Sequence, residues 1–236
     1  MIINNDLIKK SIGWSAKSWF FPLKKVLDSH SFPNKKRVLE LGAGGYSAIS
    51  LLFLNKDSKL HITAYNESDL DKVKLLVDSV RDIKNFKNNI KIFSMSAQNI
   101  VGKYDIIIMK SVLGGIFRLN NSKKQDADEL LKYIADNHLK ENGTLISMDN
   151  GKTRLESIFS NFGARKNSWR YFLISDFQSA TKQYSFGLLS NFSFATRYKN
   201  IGHILDSSVF IIDKLIYKIF NIKNPSIIIS IYKKNS

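Results

Sequence analysis

The stretch Arg37 to Leu54, RVLELGAGGYSAISLLFL, decides how this chain is read. It starts as a short apolar strand, passes an acid and three glycines, and resumes as an apolar run long enough for a helix. Glycines let the backbone turn sharply and approach a ligand closely, and a helix behind them presents free N–H groups to the crevice. Such a turn can also serve only to pack strand against helix. Glu40 separates the two readings. An acid at the strand end repels a pyrophosphate, whereas a ligand carrying a sulfonium and an ammonium is attracted to it.

The segment Glu40-Leu41-Gly42-Ala43-Gly44-Gly45 resembles motif I of the class I S-adenosylmethionine (SAM) methyltransferases, although Tyr46 stands where a third glycine is usual. The resemblance implies an α/β fold with a Rossmann-like, seven-stranded, mostly parallel sheet and helices on both faces. It also implies SAM as cofactor, S-adenosyl-L-homocysteine (SAH) as product, and Glu40, Gly42, Ala43, Gly44, Gly45 and Tyr46 as cofactor-binding residues.

Outward from this turn, composition sets limits. A chain of 236 residues suffices for one α/β domain, and no linker divides it, so residues 1–236 are expected to form a single domain. With no cysteine, disulfides, thiolate metal sites and cysteine nucleophiles are excluded. The first ten residues, MIINNDLIKK, lack a signal peptide's apolar centre, and no stretch reaches the length of a membrane span, so the expected location is the cytoplasm. A formal charge of +16 points to an acidic partner, which could be nucleic acid, a phosphorylated or acidic sugar, or an anionic membrane surface. Alternatively, the bias toward Lys, Asn and Ile raises the charge with no ligand in view.

Before the first strand, residues 1–36 form a helical segment in which Trp14, Trp19, Phe20 and Phe21 cluster. These aromatics suit a core, but Trp14 or Trp19 could also cover a ligand in the crevice. After it, Leu60 to Tyr65 reads as the second strand, and Ser68 with Asp71 has capping-box spacing for a helix. Family members hold the ribose with an acid after this strand; here the positions are Asn66 and Glu67. The third strand is Ile90 to Ser94, and Ser96 and Ala97 follow where relatives contact adenine. Tyr104 to Met109 is a fourth strand apolar enough to be buried on both faces. Its carboxyl end delivers Lys110 and Ser111, then Gly114 and Gly115, into the crevice where open α/β sheets bind ligands. A helix from Lys123 to His138 and a fifth strand, Thr144 to Met148, come next. Asp149 and Asn150 at its end are similar to part of a divalent-metal set, but a third ligand is missing, so no metal is expected.

A helix near Leu155 to Phe162, a sixth strand through Ile174 and a last strand Ile227 to Tyr232 complete the expected seven. Residues 176–226 read as a helical insertion in which Leu205, Val209, Ile212, Ile216 and Ile219 recur at helical spacing beside Lys214, Lys218 and Lys223. This stripe packs on the domain, on a second subunit, or on an anionic membrane.

Two passages, Lys110 to Ile116 and Asn167 to Tyr171, resemble segments of methyltransferases from bacterial O-antigen and capsule biosynthesis clusters, which also open with a Gly-Trp and a second Trp, as Gly13-Trp14 and Trp19 do. The resemblance implies methyl transfer to a sugar hydroxyl or sugar-linked phosphate derivative, with a saccharide, nucleotide sugar or lipid-linked glycan as acceptor. Trp14, Trp19, Gly114, Gly115, Trp169 and Arg170 are the expected acceptor contacts. Asp149 and His203 are the candidate bases. Lys110 and Arg170 could neutralise an acidic acceptor. An RNA methyltransferase and a catalytically silent partner protein remain as alternatives.

Overall fold

A computed structural model describes residues 5–44, 47–118, 125–153, 169–190, 199–220 and 222–234, without the side chains of 81–84, 125 and 199–204. Seven strands form one sheet: β1 (Arg37–Leu41), β2 (Lys59–Ala64), β3 (Ile90–Ser94), β4 (Tyr104–Lys110), β5 (Leu139–Asn150), β6 (Lys182–Phe186) and β7 (Ile227–Lys233). Their order is β3-β2-β1-β4-β5-β7-β6. β1 to β5 run parallel, and β7 is antiparallel to both β5 and β6. The expected architecture is the observed one.

Alternation along the central strands divides the core between the two faces. Val38, Ile106, Ile108, Ile146 and Met148 meet α1 (Asn5–Ile12), α2 (Ala16–Ser29) and α3 (Glu67–Asp78) on one face. Leu39, Leu41, Ile107, Met109 and Leu145 meet α4 (Leu113–Ile116) and α5 (Gln125–His138) on the other. α6 (Lys199–Ile219) lies outside α2, where its Phe210 and Tyr217 rings pack on Phe21. Pro22 sits inside α2, at its seventh residue, without ending it. Among the described residues, no helix is long and apolar enough to cross a membrane.

Four expectations are corrected. The helix after the glycines is a 3-10 helix, Ile49–Phe53. The amides of Ala48, Ile49 and Ser50 are drawn to Ser11 O and to the Glu40 carboxylate, and Leu51 N returns to Ala48 O, three residues back. The helix after β2 starts at Glu67, with Asn66 at its N-cap and no capping box. The sixth strand is not the one through Ile174, where there is only a three-residue 3-10 turn beside a single bridge from Phe172 to Gly151. It is Lys182–Phe186, inside the stretch read as a helical insertion, so among the described residues that stretch holds a strand as well as the helix Lys199–Ile219. As an edge strand, β6 pairs only with β7, and its partly polar KQYSF carries a weak apolar signal. Finally, β5 starts five residues early, because Leu139 pairs with Tyr104 before the register shifts at Ile106. The expected helix near Leu155 to Phe162 lies outside the described residues.

β1 leaves the sheet through Gly42, whose φ of +71° suits glycine, and a Cβ there would lie 2.6 Å from Val112 Cγ2. Gly44 has no atom within 4 Å of the same position. Gly42→Ala should therefore lower the unfolding free energy by about 1–3 kcal/mol in urea denaturation, whereas Gly44→Ala should stay within about 0.5 kcal/mol of the parent.

Candidate active site

The crevice opens at the carboxyl ends of β1 and β4, which are neighbours although their connections run to opposite sides of the sheet. The Glu40 side chain lies beneath it, 1% exposed. Its carboxylate accepts hydrogen bonds from Ile49 N and Ser50 N, both at 2.9 Å, and from Ser50 Oγ at 2.6 Å. Burial raises its pKa, opposed by these donors and by Lys110. Glu40 therefore shapes the turn from below and does not present a free carboxylate to a ligand, as the sequence had suggested. Thr63 Oγ1 donates to Glu40 O at 2.8 Å and Ala43 N donates to Thr63 O at 2.7 Å, which ties the turn to β2. Nothing in the sequence singled out Ser50 or Thr63, since each acts from a distant position in the chain.

Around the rim, the expected cofactor residues fall in order. Gly42, Ala43 and Gly44 follow β1, exposed Asn66 and Glu67 follow β2, and half-buried Ser96 follows β3. Ser96 Oγ accepts from Gln98 N at 3.2 Å, which leaves the hydroxyl proton to donate. Ala97 is packed in the core, so only its backbone can serve. Gly45 and Tyr46 lie outside the described residues. Ser111, at φ 53°, turns the chain out of the sheet, with its amide on Met148 O and its hydroxyl accepting from Asn150 Nδ2.

Lys110 is the charged group at the centre. Buried at 7% exposure, its Nζ lies 4.2 Å from the centroid of Trp14 and 4.9 Å from that of Trp19. The two indoles meet edge to face and form a pair that accepts a cation. Burial pulls the Lys110 pKa down to about 7, against the attraction of Glu40. Trp19 is fully buried, so it is a wall of the core and not an acceptor contact; Trp14 is only half-buried.

Asp149 does not join Lys110. Lys110 is registered with Met148 and shares its face of the sheet, which sends the next residue, Asp149, to the opposite face. There it is 1% exposed, with Oδ2 accepting from Ser147 Oγ at 2.5 Å and Oδ1 lacking an aligned hydrogen-bond partner among the described residues. Burial pushes its pKa up to about 7, despite the Ser147 hydroxyl and the Leu113 amide. Beside it, Trp169 covers α4 closely. A Cβ on Gly114 would fall 2.1 Å from Trp169 Nε1, and one on Gly115 would fall 2.8 Å from the ring edge. Arg170 N donates to Gly114 O at 3.0 Å. The Arg170 side chain is buried at 5% exposure. His203 lies on α6, and its side chain is outside the described ones. No three acid or histidine side chains converge as a metal site among the described residues.

An adenosine-bearing cofactor fits this donor set. Gly44 leaves open space at the turn, and exposed Asn66 and Glu67 offer acceptors for ribose hydroxyls.

No protein-family model matches the sequence, and neither does any curated protein. Solved structures do resemble it. A candidate sarcosine dimethylglycine methyltransferase from Galdieria sulphuraria superposes with a TM-score of 0.57 at 11% identity, covering 93% of this chain and 86% of that one. Coclaurine N-methyltransferase, bound to N-methylheliamine and SAH, gives 0.56 at 12% identity over 91% of this chain and 72% of its own. The YcgJ protein from Bacillus subtilis gives 0.54 at 12% over 92% of this chain and all of its own. At these identities the likeness is one of fold, and the fold is that of the class I methyltransferases.

Glu40→Ala leaves the Ile49 and Ser50 amides buried and unmet, and should cost about 2–4 kcal/mol in urea melts. The two shifted groups make opposite contributions to stability against pH. Asp149, raised from 3.8 to about 7, holds its proton longer in the folded chain, so its contribution is full below 3.8 and lost as pH rises through about 7. Lys110, lowered from 10.5 to about 7, contributes fully above 10.5 and loses that contribution as pH falls to about 7. Relative to wild type, Asp149→Asn should flatten the stability profile below about pH 7, and Lys110→Met should flatten it above, by up to about 1.4 kcal/mol per pH unit.

Proposed function

We propose that this chain is a SAM-dependent methyltransferase that methylates a hydroxyl of a sugar or sugar-linked phosphate derivative, presented in the cytoplasm as a nucleotide sugar or lipid-linked glycan for cell-surface polysaccharide. The observation that carries the reading is the glycine turn at the switch point between β1 and β4, with Asn66, Glu67 and Ser96 in sequence along the adjacent strand ends. SAM, when bound, supplies an electrophilic methyl group on a sulfonium.

The chain's own groups then have distinct tasks. Asn66 and Glu67 hold the ribose, and Ser96 with the Ala97 backbone meets the adenine edge. Protonated Lys110 repels a second cation, and its depressed pKa lets it stand neutral in the crevice near pH 7. On the acceptor side, Trp169 over Gly114 and Gly115 brings together the two segments whose sequence resembles the polysaccharide methyltransferases. A flat indole suits the apolar face of a sugar ring. Asp149 takes the hydroxyl proton, since a carboxyl with a pKa of about 7 suits a base at neutral pH. Most of the acceleration comes from holding acceptor oxygen and methyl group in line.

The test has two parts. Calorimetry with SAM and SAH should show binding to wild type and a loss of about tenfold or more in Gly44→Val, whose melting temperature should be unchanged. Labelled SAM offered with nucleotide sugars, lipid-linked glycans and RNA should mark a glycan, with Asp149→Asn slowing transfer about 100-fold while SAH affinity is kept. No binding at millimolar cofactor would make the chain a silent member of the fold, and label on RNA alone, which the +16 charge permits, would replace the glycan reading.

A further inference from the structure

The sequence suggested a single apolar stripe on α6, but the structure splits it between two faces. Val209, Phe210, Asp213, Ile216 and Tyr217 turn toward the fold. Phe210 and Tyr217 pack edge-on against Phe21 and tilted against Phe186, Lys25 Nζ donates to Tyr217 OH at 3.1 Å, and fully buried Asp213 accepts from Leu188 N, Leu189 N and Ser190 Oγ. The helix is therefore pinned in orientation.

The outward face is consequently fixed as well, and it is apolar. Leu205, Ile211, Ile212, Leu215, Ile219 and Phe220 are 41%, 57%, 45%, 55%, 71% and 62% exposed, six of the ten large apolar side chains that the described residues leave in solvent. Solvated apolar side chains scattered singly are ordinary, but a contiguous row along one helix marks a surface that meets something. Lys214 and Lys218 are exposed along the same stretch, while its two acids, Asp206 and Asp213, are buried. From Leu205 to Phe220 the outer face thus carries apolar groups and positive charge without an exposed carboxylate.

That chemistry selects among occupants. A second copy docked on this face would set lysine against lysine in a protein of +16 formal charge, with no acid in the stretch to meet them. A bilayer rich in anionic headgroups answers both components, since the apolar row can enter the headgroup–acyl boundary and the lysines can reach phosphate. We propose that the outer face of α6 seats the protein in the plane of an anionic membrane surface, independently of whether it transfers methyl groups.

The test uses the full chain and extruded vesicles. Wild type should co-sediment with phosphatidylcholine vesicles containing about a third phosphatidylglycerol, and bind those of phosphatidylcholine alone about tenfold less. The double variant Ile212→Asp with Leu215→Asp should lose about tenfold or more of the partitioning, and Lys214→Glu with Lys218→Glu should lose the preference for phosphatidylglycerol. All four side chains are exposed, so circular dichroism and melting temperature should match wild type, which separates lost docking from lost folding. Absence of wild-type binding to the anionic vesicles, or equal binding by the Asp variant, would overturn the proposal. So would a wild-type dimer in sedimentation velocity that the Asp variant converts to monomer, since the face would then belong to a second copy.

Discussion

A carboxylate that three donors hold beneath a glycine turn is the constraint on which the site depends. Glu40 gathers the Ile49 and Ser50 amides and the Ser50 hydroxyl at 2.6–2.9 Å, and so fixes where the chain goes after it leaves β1. Because the group is buried, its desolvation has to be offset by those bonds, and the geometry of the turn follows from the need to make them. The turn in turn leaves Gly44 open and places Gly42 against Val112, at the start of the loop that leads to α4. One buried acid thereby couples the ends of β1 and β4, between which a ligand would enter.

Two further buried ionisable groups share the crevice region from opposite faces of the sheet. Lys110 lies against Trp14 and Trp19 on one side, and Asp149 lies near Leu113 and Ser147 on the other. Each is pulled to about 7 by loss of solvent, one downward and one upward. Burial thus converts two groups of fixed charge in water into groups that titrate near neutrality, a property that cofactor admission and proton removal can use. It follows from depth and parity along β4 and β5, and not from residue type.

Much of this was legible in the chain. The alternation and apolar runs of Arg37–Leu41, Tyr104–Lys110 and Ile227–Lys233 identified central strands, because strands buried on both faces have few other sequences open to them. The glycine turn and Asn66, Glu67 and Ser96 were placed by their positions at strand ends. The misread elements were those whose form depends on distant partners. Lys182–Phe186 is an edge strand stabilised by β7, and the segment after the glycines is drawn into a 3-10 helix by Glu40 and Ser11. Trp19 and Arg170 resembled ligand contacts and are buried.

The sequence by itself determined the central strands of the sheet and the crevice at their carboxyl ends, because these rest on local pattern and on residues within a few positions of one another. Only the tertiary structure decided what each polar side chain is for. Whether Glu40 faces a ligand or a backbone, which side of the sheet receives Lys110 or Asp149, and which half of the α6 apolar stripe remains in solvent all depend on packing between residues far apart in the chain. Periodicity shows that a helix has an apolar side, but α6 has two, and only the contacts of Phe210, Asp213 and Tyr217 determine which one is left uncovered.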